Sequence, residues 1–236
     1  MSSIKGIIFD YGGTIDTDGI HWGEFIWEQY KETGIDISHE TYREAYVHGE
    51  RFLAKNHVIE PTDTFHTLLR KKIAIHFDYL HNRFPEKHFS KEDAERIADG
   101  CYNKVKKTME TTCAVVKELS KQYPLVLVTN FYGNMPVVLK EFNLSEYFKT
   151  IVESSVVGLR KPDPALFALG VEALGFEPHE IVVIGDSYRK DIYPSSTLGC
   201  RTVWLKNVCW EEETVVQGDE ADAIIRTLKE LPQYIK

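Results

Sequence analysis

Four short stretches carry side chains suited to chemistry: FDYGGT at residues 9–14, VTN at 128–130, RKPDP at 160–164 and IGDSYRKD at 184–191. Together they offer the acids Asp10, Asp186 and Asp191, the hydroxyl of Thr129 and the ammonium of Lys161. Carboxylates gathered in one crevice repel one another, so such a group calls for a cation. A hydroxyl and an ammonium beside them can stabilise charge that develops on a reacting group. Each stretch also has a plain structural reading. Asp10 with Gly12 and Gly13 makes a strand-to-loop turn, Thr129-Asn130 a helix cap, Asp163-Pro164 a helix start, and Gly185-Asp186-Ser187 a turn. Position argues against four unrelated turns: three of the stretches close apolar, strand-like runs, and RKPDP leads into a helix.

The elements that must position these residues follow from periodicity. Ile4–Phe9 reads as a buried strand. From His21 to about Thr112 no strand signal of that strength appears, and the pattern predicts helices at His21–Glu32, Ser38–Asn56, Thr62–Asn82 and Ser90–Glu110. Ser38 with Thr41 and Ser90 with Asp93 supply capping signals, and Pro61 and Pro85 bracket the third helix. Beyond Thr112 helices and strands alternate: helix 112–121, strand Tyr123–Thr129, helix Met135–Phe142, strand Thr150–Glu153, helix Pro164–Leu174, strand Ile181–Ile184, helix Ile192–Leu198, strand Thr202–Leu205 and a last helix over Glu220–Leu231. This predicts an α/β fold, a Rossmann-like parallel sheet core with helices on both faces, plus an all-helical cap domain. The core takes residues 1–16 and 111–236, the helical domain residues 17–110. In a parallel sheet the strands' carboxyl ends converge on one edge, where such folds bind ligands. Asp10, Thr129, Lys161, Asp186 and Asp191 are expected to meet there.

Composition narrows the function classes. The 236 residues are 43% hydrophobic, enough for a sizeable core. A net charge of −8 and the absence of any basic run argue against sequence-independent nucleic-acid binding. Cys101, Cys113, Cys200 and Cys209 form no CxxC pair and read as reduced thiols. No apolar run approaches the roughly 20 residues of a membrane span, and a cytoplasmic protein is expected. Nothing in the sequence speaks to oligomeric state.

In order and spacing, DYGGT, LVLVTN, RKPDP and GDSYRKD resemble the haloacid dehalogenase (HAD) superfamily of hydrolases, in the subfamily whose helical cap follows the first strand. The likeness spans residues 4 to about 206; in the cap it concerns only position and helical character. It implies that Asp10 is a nucleophile that forms an aspartyl-phosphate, with a small phosphorylated metabolite as substrate. It implies Mg²⁺ on the Asp10 carboxylate, the Gly12 carbonyl and Asp186, with Asp191 as a direct or water-mediated ligand. Thr129 and Lys161 would serve the transferred phosphoryl group. Thr14 would order the loop, and Asp16 would be a structural hydrogen bonder. Asn130 either contacts substrate or caps a helix, and His21 faces the substrate from the cap.

The sequence departs from the family pattern at Gly12, where family phosphatases carry a second Asp that protonates the leaving group and then activates water. Glycine keeps the metal-binding carbonyl but offers no proton, a loss worth roughly 10²–10⁴-fold. Besides a phosphatase that works slowly, draws its proton from a cap residue such as His21 or uses a substrate with a good leaving group, this leaves open a phosphonatase-like or dehalogenase-like hydrolase, or a non-catalytic phospholigand-binding protein. Phosphonate cleavage would need a cap lysine, and none stands out among Lys31, Lys55, Lys71 and Lys72. Trp22, Phe25, Ile26 and Tyr30 have the spacing of a helix core face. Arg43 and Arg51 sit on a predicted cap helix, where either could clamp an anion.

Overall fold

A computed structural model describes residues 3–210, 215, 217 and 220–235. Strand β1 (Gly6–Phe9) is buried along its whole length. Four helices come before the next strand: α1 (Trp22–Thr33), α2 (His39–Lys55), α3 (Phe65–Arg83) and α4 (Lys91–Ser120). Ser38, Thr64 and Ser90 each accept a hydrogen bond from the backbone N–H three residues on. These bonds satisfy first-turn donors that no helix can satisfy internally.

The helices expected separately at 90–110 and 112–121 form the single 30-residue helix α4. The Thr112 hydroxyl donates to the Thr108 carbonyl at 3.4 Å, inside the helix, and so starts no new one. Residue 110, where the helical insert was expected to end, therefore lies within α4.

The remaining elements are β2 (Leu125–Thr129), α5 (Met135–Glu141), β3 (Phe148–Glu153), α6 (Ser154–Val157), α7 (Pro164–Leu174), β4 (Ile181–Gly185), α8 (Tyr193–Thr197), β5 (Arg201–Leu205) and β6 (Ala223–Ile225). The sheet is parallel throughout, in the order β3-β2-β1-β4-β5-β6. Its period of two splits the core across the sheet. Ile8, Val126, Val128 and Val183 pack with Leu166, Phe167 and Leu174 of α7. Ile7, Phe9, Leu127 and Ile184 belong to the other cluster, which is continuous with the buried side chains of α1–α4.

The expected helix over Glu220–Leu231 is replaced by β6 and a 3₁₀ turn at Leu228–Gln233. Ile224 and Ile225 pair with Trp204 and Leu205, a use that suits β-branched side chains. Pro232, inside the turn, has no N–H to continue a helix. Phe9 is in register with both Leu127 and Ile184, so β1, β2 and β4 end together at one edge.

Candidate active site

The end of β1 delivers Asp10, whose N–H still pairs with the Ile184 carbonyl at 2.9 Å. The chain then turns tightly. Three N–H groups, of Thr14, Ile15 and Asp16, converge on the Tyr11 carbonyl. Gly13 adopts φ +97°, and a Cβ there would lie 2.3 Å from Asp186 Oδ2, so this position needs a glycine. Gly12 differs. Its φ lies outside the left-handed region, and a Cβ would meet nothing nearer than Trp22 Cδ1 and Nε1 at 3.9 Å.

The turn folds Thr14 back so that its hydroxyl donates to Asp10 Oδ2 at 3.1 Å and lies 3.5 Å from Asp186 Oδ1. This matches its expected loop-ordering role. Lys161 Nζ bridges Asp10 Oδ1 and Asp191 Oδ1, each at 2.6 Å. Asp191 comes from a π-helical turn at Tyr188–Ile192, and its Oδ2 accepts from the Ser187 N–H at 3.1 Å. The Trp204 indole N–H donates to the Asp186 carbonyl at 2.9 Å, which fixes the backbone after β4.

One oxygen from each of Asp10, Asp186 and Asp191 lies within 4.8 Å of the others. Burial pushes the Asp10 carboxyl up to about 6, against the pull of Lys161. Burial, then Asp191 and Asp10, raise Asp186 well above the carboxylate range. Burial opposes the charge on Lys161, but Asp10 and Asp191 hold it above the ordinary lysine value. Asp186 has no ion pair within 4 Å among the described residues. One ammonium thus faces three hard oxygen donors, and a divalent cation that prefers carboxylate and carbonyl oxygen fits this set. Asp10, Asp186, Asp191 and the Gly12 carbonyl are the groups that could hold one; Asp10 and Asp191 each also accept hydrogen bonds on both carboxylate oxygens.

These groups line one cavity, with about 120 Å³ open to the centres of water-sized spheres. Thr129, the last residue of β2, is on its wall. Asn130 lines it too, but its side chain is tied to the backbone of Lys161. Its Oδ1 accepts from the Lys161 N–H at 2.9 Å and its Nδ2 donates to the Lys161 carbonyl at 3.3 Å. Asn130 caps no helix, since the N-cap of α5 is Asn134. Asp163 does start α7, accepting from the Ala165 N–H at 2.9 Å.

The cap side is built by α1, α2 and α3. His21 lines the cavity as the N-cap of α1, with Nδ1 accepting from the Gly23 N–H at 3.0 Å. Burial pushes its imidazole down to about 3, so it is neutral near pH 7 and a poor proton donor. Trp22, expected in a core face, also lines the cavity, and its Nε1–H donates to Asp16 Oδ2 at 3.0 Å. Asp16 Oδ1 accepts from the Gly13 N–H at 2.7 Å. Burial, opposed by these two bonds, pushes the Asp16 carboxyl up to about 7.

Of the four cap lysines weighed from the sequence, Lys72 is buried on this wall, 2.7 Å from Glu50 Oε1. Burial opposes its charge, yet Glu50 raises it above the ordinary lysine value. Lys31 and Lys55 are exposed, and Lys71 pairs with Asp63 at 2.5 Å. Arg43 stacks over the Trp210 ring, 4.0 Å from its centroid, and neither it nor Arg51 lines the cavity. Sequence reasoning missed Glu50, Tyr46 and Tyr132 as lining residues. A usable signal was Lys72 itself, a charge on an α3 face that otherwise carries Phe65, Leu68, Leu69, Ile73, Phe77, Leu80 and the polar His76.

A family model described as haloacid dehalogenase-like hydrolase matches residues 4–193, and a second, HAD-hydrolase-like, matches 158–231. The chain is 31% identical over 93 residues to a glyceraldehyde 3-phosphate phosphatase of Pyrococcus furiosus, covering 39% of this chain and 38% of that protein. The match thus spans well under half the length of that relative. A ribulose-1,5-bisphosphate 5-phosphatase of Halopiger xanaduensis is 26% identical over 222 residues, 88% of each chain. Among solved structures, the HAD-hydrolase YfnB of Bacillus subtilis, bound to magnesium, aligns over 100% of both chains with a TM-score of 0.61 and 16% identity. That last likeness speaks to the fold alone.

Proposed function

The chain belongs to the haloacid dehalogenase-like hydrolases, and from that premise we propose that it is a Mg²⁺-dependent phosphatase of a small phosphorylated metabolite, acting through an aspartyl-phosphate at Asp10. The observation that carries this reading is the acidic trio bridged by Lys161, set at the sheet edge beneath a cavity. Asp10 attacks phosphorus, and Thr14 and Lys161 hold its carboxylate in place. Lys161 and Thr129 stabilise charge on the phosphoryl oxygens, while Asn130 fixes the loop that carries Lys161. Asp10, the Gly12 carbonyl, Asp186 and, directly or through water, Asp191 would hold Mg²⁺, whose charge would offset the repulsion between a carboxylate nucleophile and an anionic phosphoryl group. The helices from α1 to α4 act as a cap over the α/β core, the expected boundary at residue 110 falling within α4, and the cap wall sets substrate choice.

Two features favour this over the alternatives. A phosphonatase-like mechanism needs a neutral amine to attack a carbonyl, whereas the lysine on the cap wall is paired with Glu50 and stays charged. A dehalogenase-like reaction gives no reason for a second and third carboxylate beside the nucleophile. The test is phosphate release from a panel of small phosphate esters, with Mg²⁺ and with EDTA, by wild type and Asp10→Asn. Turnover that needs both Mg²⁺ and Asp10 supports the enzyme. Equal inactivity of both proteins across the panel, with ligand still bound, would instead support a phospholigand-binding protein.

A further inference from the structure

A phosphate ester of an ordinary alcohol cannot release its alkoxide readily without a proton, and Gly12 supplies none. The cavity therefore needs another donor if it is to handle such substrates. Resting on the phosphatase reading, we propose that Asp16 is the proton donor to the leaving-group oxygen, acting from beside the space that the bare Gly12 leaves open.

Placement carries this assignment. Asp16 lines the same cavity as Asp10 and is otherwise fully buried. A Cβ at Gly12 would have the Trp22 indole nitrogen as its nearest polar neighbour, at 3.9 Å, and that nitrogen donates to Asp16 Oδ2 at 3.0 Å. A side chain growing from residue 12 would thus enter the region that Trp22 and Asp16 border. The Gly13 N–H, at 2.7 Å, ties the other carboxyl oxygen to the nucleophile's own loop. Asp16 and Asp10 are therefore held by one turn of chain, and Asp16 stands outside the acidic trio.

Four other titratable groups on the wall, His21, Glu50, Lys72 and Lys161, are poorer donors. His21 is neutral, and its Nδ1 is occupied by the Gly23 N–H. Glu50 is held ionised by Lys72, which lowers it despite burial. Lys72 and Lys161 are each fixed by carboxylates. Asp10, which raises Asp16, and Lys72, which lowers it, are the charged groups acting on Asp16, and burial outweighs both. Burial pushes the carboxyl up to about 7, so it holds a proton to higher pH than an exposed carboxylate does.

The proton and electron count closes over both half-reactions. An Asp10 oxygen forms a bond to phosphorus, and the phosphorus–oxygen bond to the leaving group breaks. The leaving oxygen keeps the electron pair and takes the Asp16 proton, so an alcohol departs. Water then attacks phosphorus while the Asp16 carboxylate removes its proton. The Asp10–phosphorus bond breaks, inorganic phosphate leaves, and both carboxyl groups return to their starting states.

The test compares wild type, Asp16→Asn, Gly12→Asp and the double variant on an alkyl ester, β-glycerophosphate, and on p-nitrophenyl phosphate, whose leaving group needs little protonation. Asp16→Asn should lower alkyl-ester turnover by about 10²–10⁴-fold and lower aryl-ester turnover far less. Gly12→Asp should raise the alkyl-to-aryl rate ratio more in the Asp16→Asn background than in wild type. Equal losses on both esters would make Asp16 a structural residue and overturn the assignment, as would an equal Gly12→Asp gain in both backgrounds. Should Asp16→Asn fail to fold, wild type alone decides. Across aryl phosphates of rising leaving-group pKa, a shallow fall in rate supports a donor in the cavity, and a steep fall overturns it. If wild type hydrolyses neither ester, the phosphatase reading itself fails, and the assignment falls with it.

Discussion

The two walls of the cavity are built on different terms. On the core wall, Asp10, Thr129, Asp186 and Asp191 come from the chain at or just after the ends of β1, β2 and β4, and Lys161 from the loop that leads into α7. On the cap wall, Glu50 and Lys72 come from the middles of α2 and α3 and are placed by packing between helices. A residue at a strand end can be located from local pattern. A residue in a helix–helix contact needs the tertiary structure. Chemistry held by the first wall should fail in kcat when altered, and the second should show itself in substrate choice and stability.

The largest expected effect is on the core wall. Asp10→Asn should lower kcat by on the order of 10⁴-fold or more, the scale seen when a nucleophile is lost, with little change in melting temperature. Lys161→Met should lower kcat by about 10²–10³-fold, as for loss of one fixed charge donor. Steady-state phosphate release measures both, and a change confined to KM in either case would erase the contrast between the walls.

The cap wall should answer in stability. Lys72→Met leaves the half-buried Glu50 carboxylate without its partner and should cost about 1–3 kcal/mol of unfolding free energy in urea. Adding Glu50→Gln should recover most of that loss. Gly49→Ala is a sharper test of the same packing. In most helix interiors this exchange stabilises by roughly 0.5–1 kcal/mol, but here a Cβ would lie 2.5 Å from His76 Cδ2. The sign should reverse, to a loss of about 1–3 kcal/mol. An ordinary gain would mean that α2 and α3 pack more loosely than their contact implies.

The smallest effect concerns pH. Burial pushes the imidazole of His76 from its ordinary 6.5 down to about 3, and neither of its nitrogens has a hydrogen-bond partner among the described residues. The folded state therefore keeps His76 neutral while the unfolded chain takes up a proton below 6.5. Its stabilising contribution is complete above that value and is lost as pH falls toward 3. From pH 6.5 to 5.5 the loss should be roughly 1 kcal/mol, and His76→Gln should flatten that part of the stability curve. The same slope in wild type and variant would place the titrating group elsewhere.

What could be read from sequence follows this division. Most of the strands and the acidic edge were legible because Ile7–Asp10, Leu125–Thr129 and Ile181–Asp186 each run from an apolar strand into reactive or turn residues. β6 was not, because a three-residue strand is shorter than any periodicity test can resolve, and Ile224-Ile225 also suits a helix. The join within α4 was missed because Thr111-Thr112 looks like a break until the Thr112 hydroxyl is seen to bond back to Thr108. Asn130 was read as touching substrate or capping a helix, yet its amide holds the Lys161 loop. Asp16 was read as a structural hydrogen bonder, which it is; only the cavity beside it and the burial around it suggest chemistry as well.

Covalent chemistry at the core wall is the central claim, and rapid acid quench followed by peptide mass spectrometry tests it most directly. With Mg²⁺ and p-nitrophenyl phosphate, wild type should carry a phosphoryl group on the peptide containing Asp10, forming within a single turnover and absent from Asp10→Asn. Phosphate released at the same rate by Asp10→Asn, with no adduct on that peptide at any quench time, would contradict it.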